Sequence, residues 1–276
     1  MHFKMLVKAP ATSAIIFAGL AWKTSALCTR ASLQEGTSVY LSALSGGKGA
    51  SGISTISEGN LAYIENNQAV DISKGVLSAG IKIDFNRSIF DTTECASFTE
   101  IVAATGHAYV IGTRLSFNEG NKLVKIESNV CETGDWLFNV KGALDNNKKE
   151  AWASIPEAKR DTRAVIKAAG DAYVDAWADS SINPPFTKDC ARLEGGSYIG
   201  NGKCKLTFPP PFNITKRSYT IDEELGAVDI FHNFPFIDAS LPRNPGTQTN
   251  NLMRVEGGLI RFIHEHTVCE AKNCGR

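Results

Sequence analysis

The sequence carries no net charge, with 29 Lys and Arg against 29 Asp and Glu, and it has neither a basic stripe nor a basic tail. Phosphate contacts dominate nucleic-acid binding, so this balance offers no electrostatic case for such a partner. Past residue 26 no apolar run reaches the roughly 20 residues of a membrane helix. Cys-x-x-Cys pairs and tight Cys/His clusters are absent, which removes the usual zinc frameworks. So are a Ser-centred elbow, a Cys/His protease signature and a dinucleotide fingerprint. Gly202-Lys203 is followed by Cys204 rather than Ser or Thr, and no strand-to-helix phosphate loop follows, so phosphate binding is not expected. A carboxylate pair for glycoside hydrolysis cannot be picked out from spacing alone.

What is present starts with a leader. Lys4 and Lys8 precede an apolar core at 14–22, and Thr24 and Ala26 are small residues at a plausible cleavage point. This pattern predicts a secretory signal over 1–26. Its removal takes three lysines (Lys4, Lys8, Lys23) and no acid, leaving a mildly acidic mature chain. The expected location is the secretory pathway, extracellular or endomembrane lumen. There the seven cysteines (Cys28, Cys95, Cys131, Cys190, Cys204, Cys269, Cys274) read as disulfides, the odd count leaving at least one free or paired between chains. Cys190 and Cys204 flank a Gly-rich loop and are the best intramolecular pair; closing such a loop contributes about 3 kcal/mol. Asn86-Arg87-Ser88 and Asn213-Ile214-Thr215 are glycosylation sequons, at Asn86 and Asn213.

Two halves of the chain look like distant copies, the first over 33–136 and the second over 163–269. Each has a helix-like stretch (31–44 and 164–178) followed by β-rich segments. A helix and several strands, repeated once, describe an α+β protein of two tandem units. The expected division is 27–140 for the first unit, an exposed linker at 141–155, and 156–276 for the second. Ser154 is the expected N-cap of the second helix, with Pro156 and Glu157 in its first turn. Stretches 45–60, 195–213 and 235–250 are expected loops, the last two long enough to be binding loops.

The candidate chemistry sits near the C-terminus. Residues 261–269 read as a strand whose alternation puts Phe262, His264, His266 and Val268 on one face and Arg261, Ile263, Glu265 and Thr267 on the other. Two histidines on one face suit general acid–base work; the plainer reading is a hydrogen-bonded structural pair. A metal requires a third ligand, for which His232 is the candidate. Ile230, His232 and Phe234 share a face of the preceding strand, so His232 is expected to face His264; the plainer reading is a solvent-exposed histidine near the loop that follows. The first copy has Glu127 and Asn129 where the second has His264 and His266, with Lys125 alongside. Arg87 and Arg217 are read as matching positions, which suggests a repeated ion pair ahead of a catalyst. His107 reads as a turn residue, and Trp136, Trp177 and Tyr173 as core packing.

Four stretches carry a resemblance: Asp91-Thr92-Thr93-Glu94-Cys95-Ala96, Gly134-Asp135-Trp136-Leu137-Phe138-Asn139, Cys190-Ala191-Arg192-Leu193-Glu194-Gly195-Gly196-Ser197-Tyr198 and Arg254-Val255-Glu256-Gly257-Gly258. The chain resembles a family of fungal secreted proteins built from two nuclear-transport-factor-like (SnoaL-like) units. The resemblance implies cones: curved antiparallel sheets covered by helices, with a pocket inside. Some members resemble hetero-Diels–Alderases of fungal tropolone–sesquiterpene pathways. A cofactor-independent cyclase with apolar small-molecule substrates is therefore expected, coupling a tropolone quinone methide to an alkene such as humulene. The alternative is a secreted binding protein or effector that holds an apolar molecule without chemistry. The chain departs from the commoner pattern in its His-Glu-His ending, its 235–250 loop, and Cys269 and Cys274. The expected catalytic residues are His232, His264 and His266, then Arg261 and Arg87. The expected pocket lies in the second copy, between the strands of His232 and His264, with 235–250 as rim. The competing position is the junction of the copies, within reach of Lys125 and Arg87.

Overall fold

The computed structural model describes residues 28–199, 204, 207, 211–235 and 246–274. The leader at 1–26, the glycines of 200–202 and most of the 235–250 loop lie outside the described residues.

The first unit opens with α1 (Arg30–Gly46) and the short α2 (Gly49–Gly52), then β1 (Ser57–Glu65), β2 (Gln68–Ala69), β3 (Phe85–Asp91), β4 (Ala96–Ala103), β5 (Tyr109–Phe117) and β6 (Leu123–Cys131). After α3 (Val140–Asn147), the second unit repeats the plan with α4 (Arg163–Asp175), β7 (Phe186–Glu194), β8 (Ser197–Tyr198), β9 (Thr215–Asp222), β10 (Ala227–Phe234), β11 (Thr247–Glu256) and β12 (Leu259–Thr267). The fold is α+β, two tandem cone-shaped units, each a curved sheet covered by helices.

Local chemistry starts the helices. Thr29 and Ser32 form a reciprocal capping box for α1, and Gly47 closes it in the left-handed region. Leu33, Gly36, Thr37, Tyr40, Ala43 and Leu44 recur on one face and are buried. Thr162 caps α4, whose buried face is Ile166, Ala169, Gly170, Tyr173 and Val174. Ser154 is therefore not the cap. Residues Glu157–Lys159 make a separate 3-10 turn, and Arg160 is extended, its Nε donating to the Ile155 carbonyl. The expected loop at 45–60 holds α2 and the start of β1.

The sheets share one strand plan, β2-β1-β6-β5-β4-β3 and β8-β7-β12-β11-β10-β9. Among the described residues all pairings are antiparallel except one per sheet: β1 with β6 and β7 with β12. α1 packs on one face of the first sheet through Leu33, Tyr40, Ile101, Ile111, Leu115 and Ile126. α4 does the same on the second through Ile166, Tyr173, Ile230, Met253 and Ile263. The faces turned away from the helices meet each other, Ile89 and Phe98 packing with Ala227, Phe231 and Leu252. The molecule is thus four layers, helix, sheet, sheet, helix, with both sheets buried on two sides.

Reciprocal ion pairs fasten the units. Arg30 of the first reaches Asp222 of the second at 2.8 Å, and Arg163 of the second reaches Asp91 of the first at 2.7 Å. Each Asp also accepts a backbone N–H from the other unit: Asp222 from Phe90 and Asp91 from Ile221.

Three disulfides join Cys28 to Cys95, Cys190 to Cys204 and Cys269 to Cys274, while Cys131 is free and buried. They belong to a protein of an oxidising environment. Asn86 and Asn213 are exposed. Among the described residues no helix is long and apolar enough to cross a membrane.

Candidate active site

Strand register decides which histidines can work together. Leu252 of β11 is paired with Asp229 of β10 on one side and His264 of β12 on the other. Directly paired residues share a face, so Asp229, Leu252 and His264 lie on one side of the sheet. His232 is three residues from Asp229, and the period of two puts it on the other side. His232 and His264 therefore do not face a common pocket, against the sequence expectation. His232 looks toward α4, inside the second cone; His264 and His266 look toward the first unit.

At the junction of the units His264 is fully buried between two carboxylates. Nδ1 lies 2.9 Å from Glu100 Oε1, and Nε2 lies 2.7 Å from Glu150 Oε2. Glu100 also accepts from Arg87 Nη1 at 3.1 Å and from Asn147 Nδ2 at 3.1 Å. Arg87 lies over the Trp152 ring, 4.2 Å from its centroid, and Trp152 Nε1 donates to Glu150 at 3.0 Å. Burial opposes the charge on His264, yet Glu100 and Glu150 outweigh it and raise its pKa to about 9. Burial would likewise raise Glu100; His264, His266 and Arg87 outweigh it and hold the carboxyl well below its ordinary value. Glu150 is lowered by the same balance, burial against His264, Trp152 and Arg87. His266 Nε2 is 3.3 Å from Glu100 Oε1, but neither ring nitrogen has hydrogen-bond geometry to a partner. These charges neutralise one another in a closed space, the arrangement of a structural latch.

The expected linker supplies half of that latch. Residues 141–155 hold all of α3 but its first residue, and the side chains of Asn147 and Glu150 are buried despite the polar run around them. Arg87 belongs to the latch, whereas Arg217 pairs with Asp175 at 2.6 Å. The two arginines are not equivalent: Arg87 is paired with Glu100 of β4, but it is Ser218 that is paired with Phe231 of β10. Arg217, one residue out of step, turns to the opposite face. Arg261 is half-buried and bonds to Glu256 at 3.1 Å, away from both histidine sites. Lys125 pairs with Glu127 at 2.8 Å, and exposed His107 with Glu132 at 2.6 Å.

A second polar set lies inside the second cone, among apolar side chains under α4. Glu265 of β12 and Glu194 of β7 are paired in register, so both carboxyls share the α4-facing side. Arg192 is on the same side, its Nη2 3.5 Å from Glu194 Oε2 and its Nη1 3.4 Å from the Tyr173 hydroxyl. Asn251 links the set: its Nδ2 donates to Glu265 at 3.1 Å and its Oδ1 is 2.6 Å from His232 Nε2. Trp177, Phe212 and Phe234 form an aromatic wall, with ring centroids 4.9 to 5.9 Å apart, next to His232. Burial, and then the Glu194 charge, push Glu265 up to about 8, against the pull of Arg192. Burial pushes His232 down to about 4. At neutral pH Glu265 is thus a buried proton donor and His232 a neutral imidazole. Among the described residues, Arg192 Nε and His232 Nδ1 are buried there without a hydrogen-bond partner. Among the described residues no group of three or more His, Cys, Asp or Glu is placed to hold a metal ion.

The first cone differs at the equivalent positions. Ser128 stands in register with Glu65, as Glu265 does with Glu194. Ser128 is hydroxyl-bonded to Thr113, which in turn bonds Tyr40. Glu65 is taken up by the Tyr63 hydroxyl and the Val76 N–H. Sequence reasoning passed over Glu265 and Glu194. The available signal was an acid on the α4-facing alternation of β12 where the first copy has a serine.

A family model described as a domain of unknown function (DUF8021) matches residues 159–267. The matched stretch holds Tyr173, Arg192, Glu194, His232, Asn251 and Glu265. No curated protein matches the chain.

Proposed function

We propose that the protein is a secreted, cofactor-independent enzyme that uses the second cone to perform acid–base chemistry on an apolar small molecule. The observation that carries this reading is the buried Glu265–Glu194 pair, with Arg192 beside it and an aromatic wall nearby. In that apolar site burial and the neighbouring carboxyl raise Glu265 to about 8, which makes it an acid at neutral pH. Arg192 and neutral His232 supply N–H groups for a substrate oxygen that gains charge.

The resemblance to hetero-Diels–Alderases supplies the reaction. Glu265 gives its proton to the departing hydroxyl of a hydroxymethyl tropolone; the C–O bond breaks and water leaves. The ring hydroxyl proton returns to the carboxylate, which regenerates the acid and leaves a neutral quinone methide. An alkene such as humulene, held against the aromatic wall, then adds across it, forming one C–C and one C–O bond without net proton transfer. Holding both partners together supplies several kcal/mol of the barrier. His232 keeps its place among the expected catalytic residues in this reading; His264, His266 and Arg87 are the junction latch.

The test is incubation of the secreted, glycosylated protein with a hydroxymethyl tropolone and humulene, followed by product analysis. Cycloadduct is expected from the parent, and Glu265→Gln is expected to form it about 100-fold more slowly. Equal rates in the two proteins would remove Glu265 from the chemistry. Retention of the tropolone without turnover would assign the cone to binding alone.

A further inference from the structure

The second cone is not completed by the second unit alone. Trp136 lies between β6 and α3, outside the stretch matched by the family model. Its half-buried indole packs against the second unit's core, and its Nε1–H donates to Glu194 Oε1. The other oxygen of Glu194 faces Arg192.

The segment carrying Trp136 is docked by backbone contacts at both ends. Trp136 N–H donates to the Thr267 carbonyl at 3.3 Å, and Asn139 N–H to the Gly195 carbonyl at 2.5 Å; Gly195 N–H in turn donates to the Glu265 carbonyl at 3.0 Å. Asp135 fixes the approach, accepting from Cys269 N–H and from Lys272 Nζ. The glycines after Glu194 are required by this docking. A Cβ on Gly195 would lie 2.3 Å from the Trp136 carbonyl oxygen, and one on Gly196 would lie 1.9 Å from that of Asn139; both have positive φ. Gly134-Asp135-Trp136 and Glu194-Gly195-Gly196, far apart in sequence, are the two halves of one contact.

We propose that Trp136 is a positioning residue for the second cone: its indole N–H holds the Glu194 carboxyl in place beside Glu265, with Arg192 on the other oxygen. The proposal rests on the acid–base reading of that cone. The groups that face the pair are Arg192 on β7, Tyr173 on α4, Thr267 on β12, and His232 on β10 through Asn251 on β11. Of these and Trp136, Trp136 is the one contributed from outside the second unit. A hydrogen bond to a charged acceptor is short and directional, so it fixes where that acceptor lies. Without it the Glu194 carboxyl is free to turn away from Glu265, and the repulsion that raises Glu265 weakens.

The experiment is a carboxyl ¹³C NMR titration of the full chain labelled at glutamate, with Glu265→Gln used to assign the Glu265 signal. In Trp136→Phe, which keeps a ring and loses the N–H, the Glu265 midpoint is expected to fall by about one pH unit. Glu194→Gln should lower it too, and adding Trp136→Phe to Glu194→Gln should change nothing more. An unmoved midpoint in Trp136→Phe overturns the positioning role and leaves the ring a packing group. Should Trp136→Phe fail to fold, the indole N–H proton of Trp136 decides: it must move upfield in Glu194→Gln, and a fixed resonance overturns the proposal. Parental turnover by Glu265→Gln would instead sink the catalytic reading, and it leaves these midpoints untouched.

Discussion

Glu100 of the first unit and His264 of the second are in bidentate contact, 2.9 and 3.1 Å from Nδ1 to the two carboxylate oxygens, across 164 residues of sequence. The contact closes the two sheets over a charge cluster with no exposed member at its centre.

Removing the imidazole should be costly. His264→Ala leaves Glu100 and Glu150 without their shared cation, and breaking a buried pair on one side costs about 3–5 kcal/mol. Urea unfolding at pH 6.5 measures it, and a loss below about 1 kcal/mol would show that the latch contributes little.

Stability should fall on the alkaline side of neutrality. The folded value of His264, about 9, exceeds its ordinary 6.5, so its contribution is complete below about 6.5 and lost as pH rises through 9. Glu265, about 8 against 4.5, acts with the same sign, its contribution complete below about 4.5 and lost as pH rises through 8; His232, held down to about 4 against 6.5, has the opposite sign and offsets that loss up to 6.5. Glu100 and Glu150 are held low, so their contribution is present above 4.5 and lost as pH falls through their folded values. A Tm profile from pH 4 to 10 should therefore peak between 4.5 and 6.5. Glu265→Gln should lose less between pH 6.5 and 9 than the parent, by about 2 °C or more; a parallel curve would contradict the assignment.

The reciprocal pairs at the unit junction should also count. Asp91 is fully buried and accepts from Arg163, from Ile221 N–H, and from Thr93 and Glu94 N–H in its own turn. Asp91→Ala leaves these donors unmatched and should destabilise by about 3 kcal/mol. Asp222→Ala, its counterpart, should behave alike under chemical denaturation. A difference of more than about 2 kcal/mol between them would mean that the junction is not functionally two-fold.

Peptide mapping without reduction should return Cys28–Cys95, Cys190–Cys204 and Cys269–Cys274, with Cys131 unlabelled by iodoacetamide until the chain is unfolded. By loop-closure entropy the 67-residue separation of the first pair contributes about 4 kcal/mol and the 14-residue separation of the second about 3. Recovery of Cys190 and Cys204 as free thiols from secreted protein would refute the pairing.

The sequence by itself determined the local plan. Helix-like stretches marked α1 and α4, though with the cap of α4 at Ser154 instead of Thr162, and the alternation at 261–269 assigned Phe262, His264 and His266 to one face, because these are properties of neighbours along the chain. The repeat announced two α+β units, and Cys190 and Cys204 stood out by flanking a loop. The tertiary structure decided what those faces meet. His232 and His264 part company because the register of β10 on β11 shifts parity, and register is a pairing between distant segments. Asn147 and Glu150 sit in a run that reads as solvent-exposed, yet Arg87 and His264, 60 and 114 residues away, satisfy them in the interior. Glu265 is one acid among many in the sequence. Only its register with Glu194, and the cover of α4 and Trp136 that removes water from both, sets its proton affinity apart.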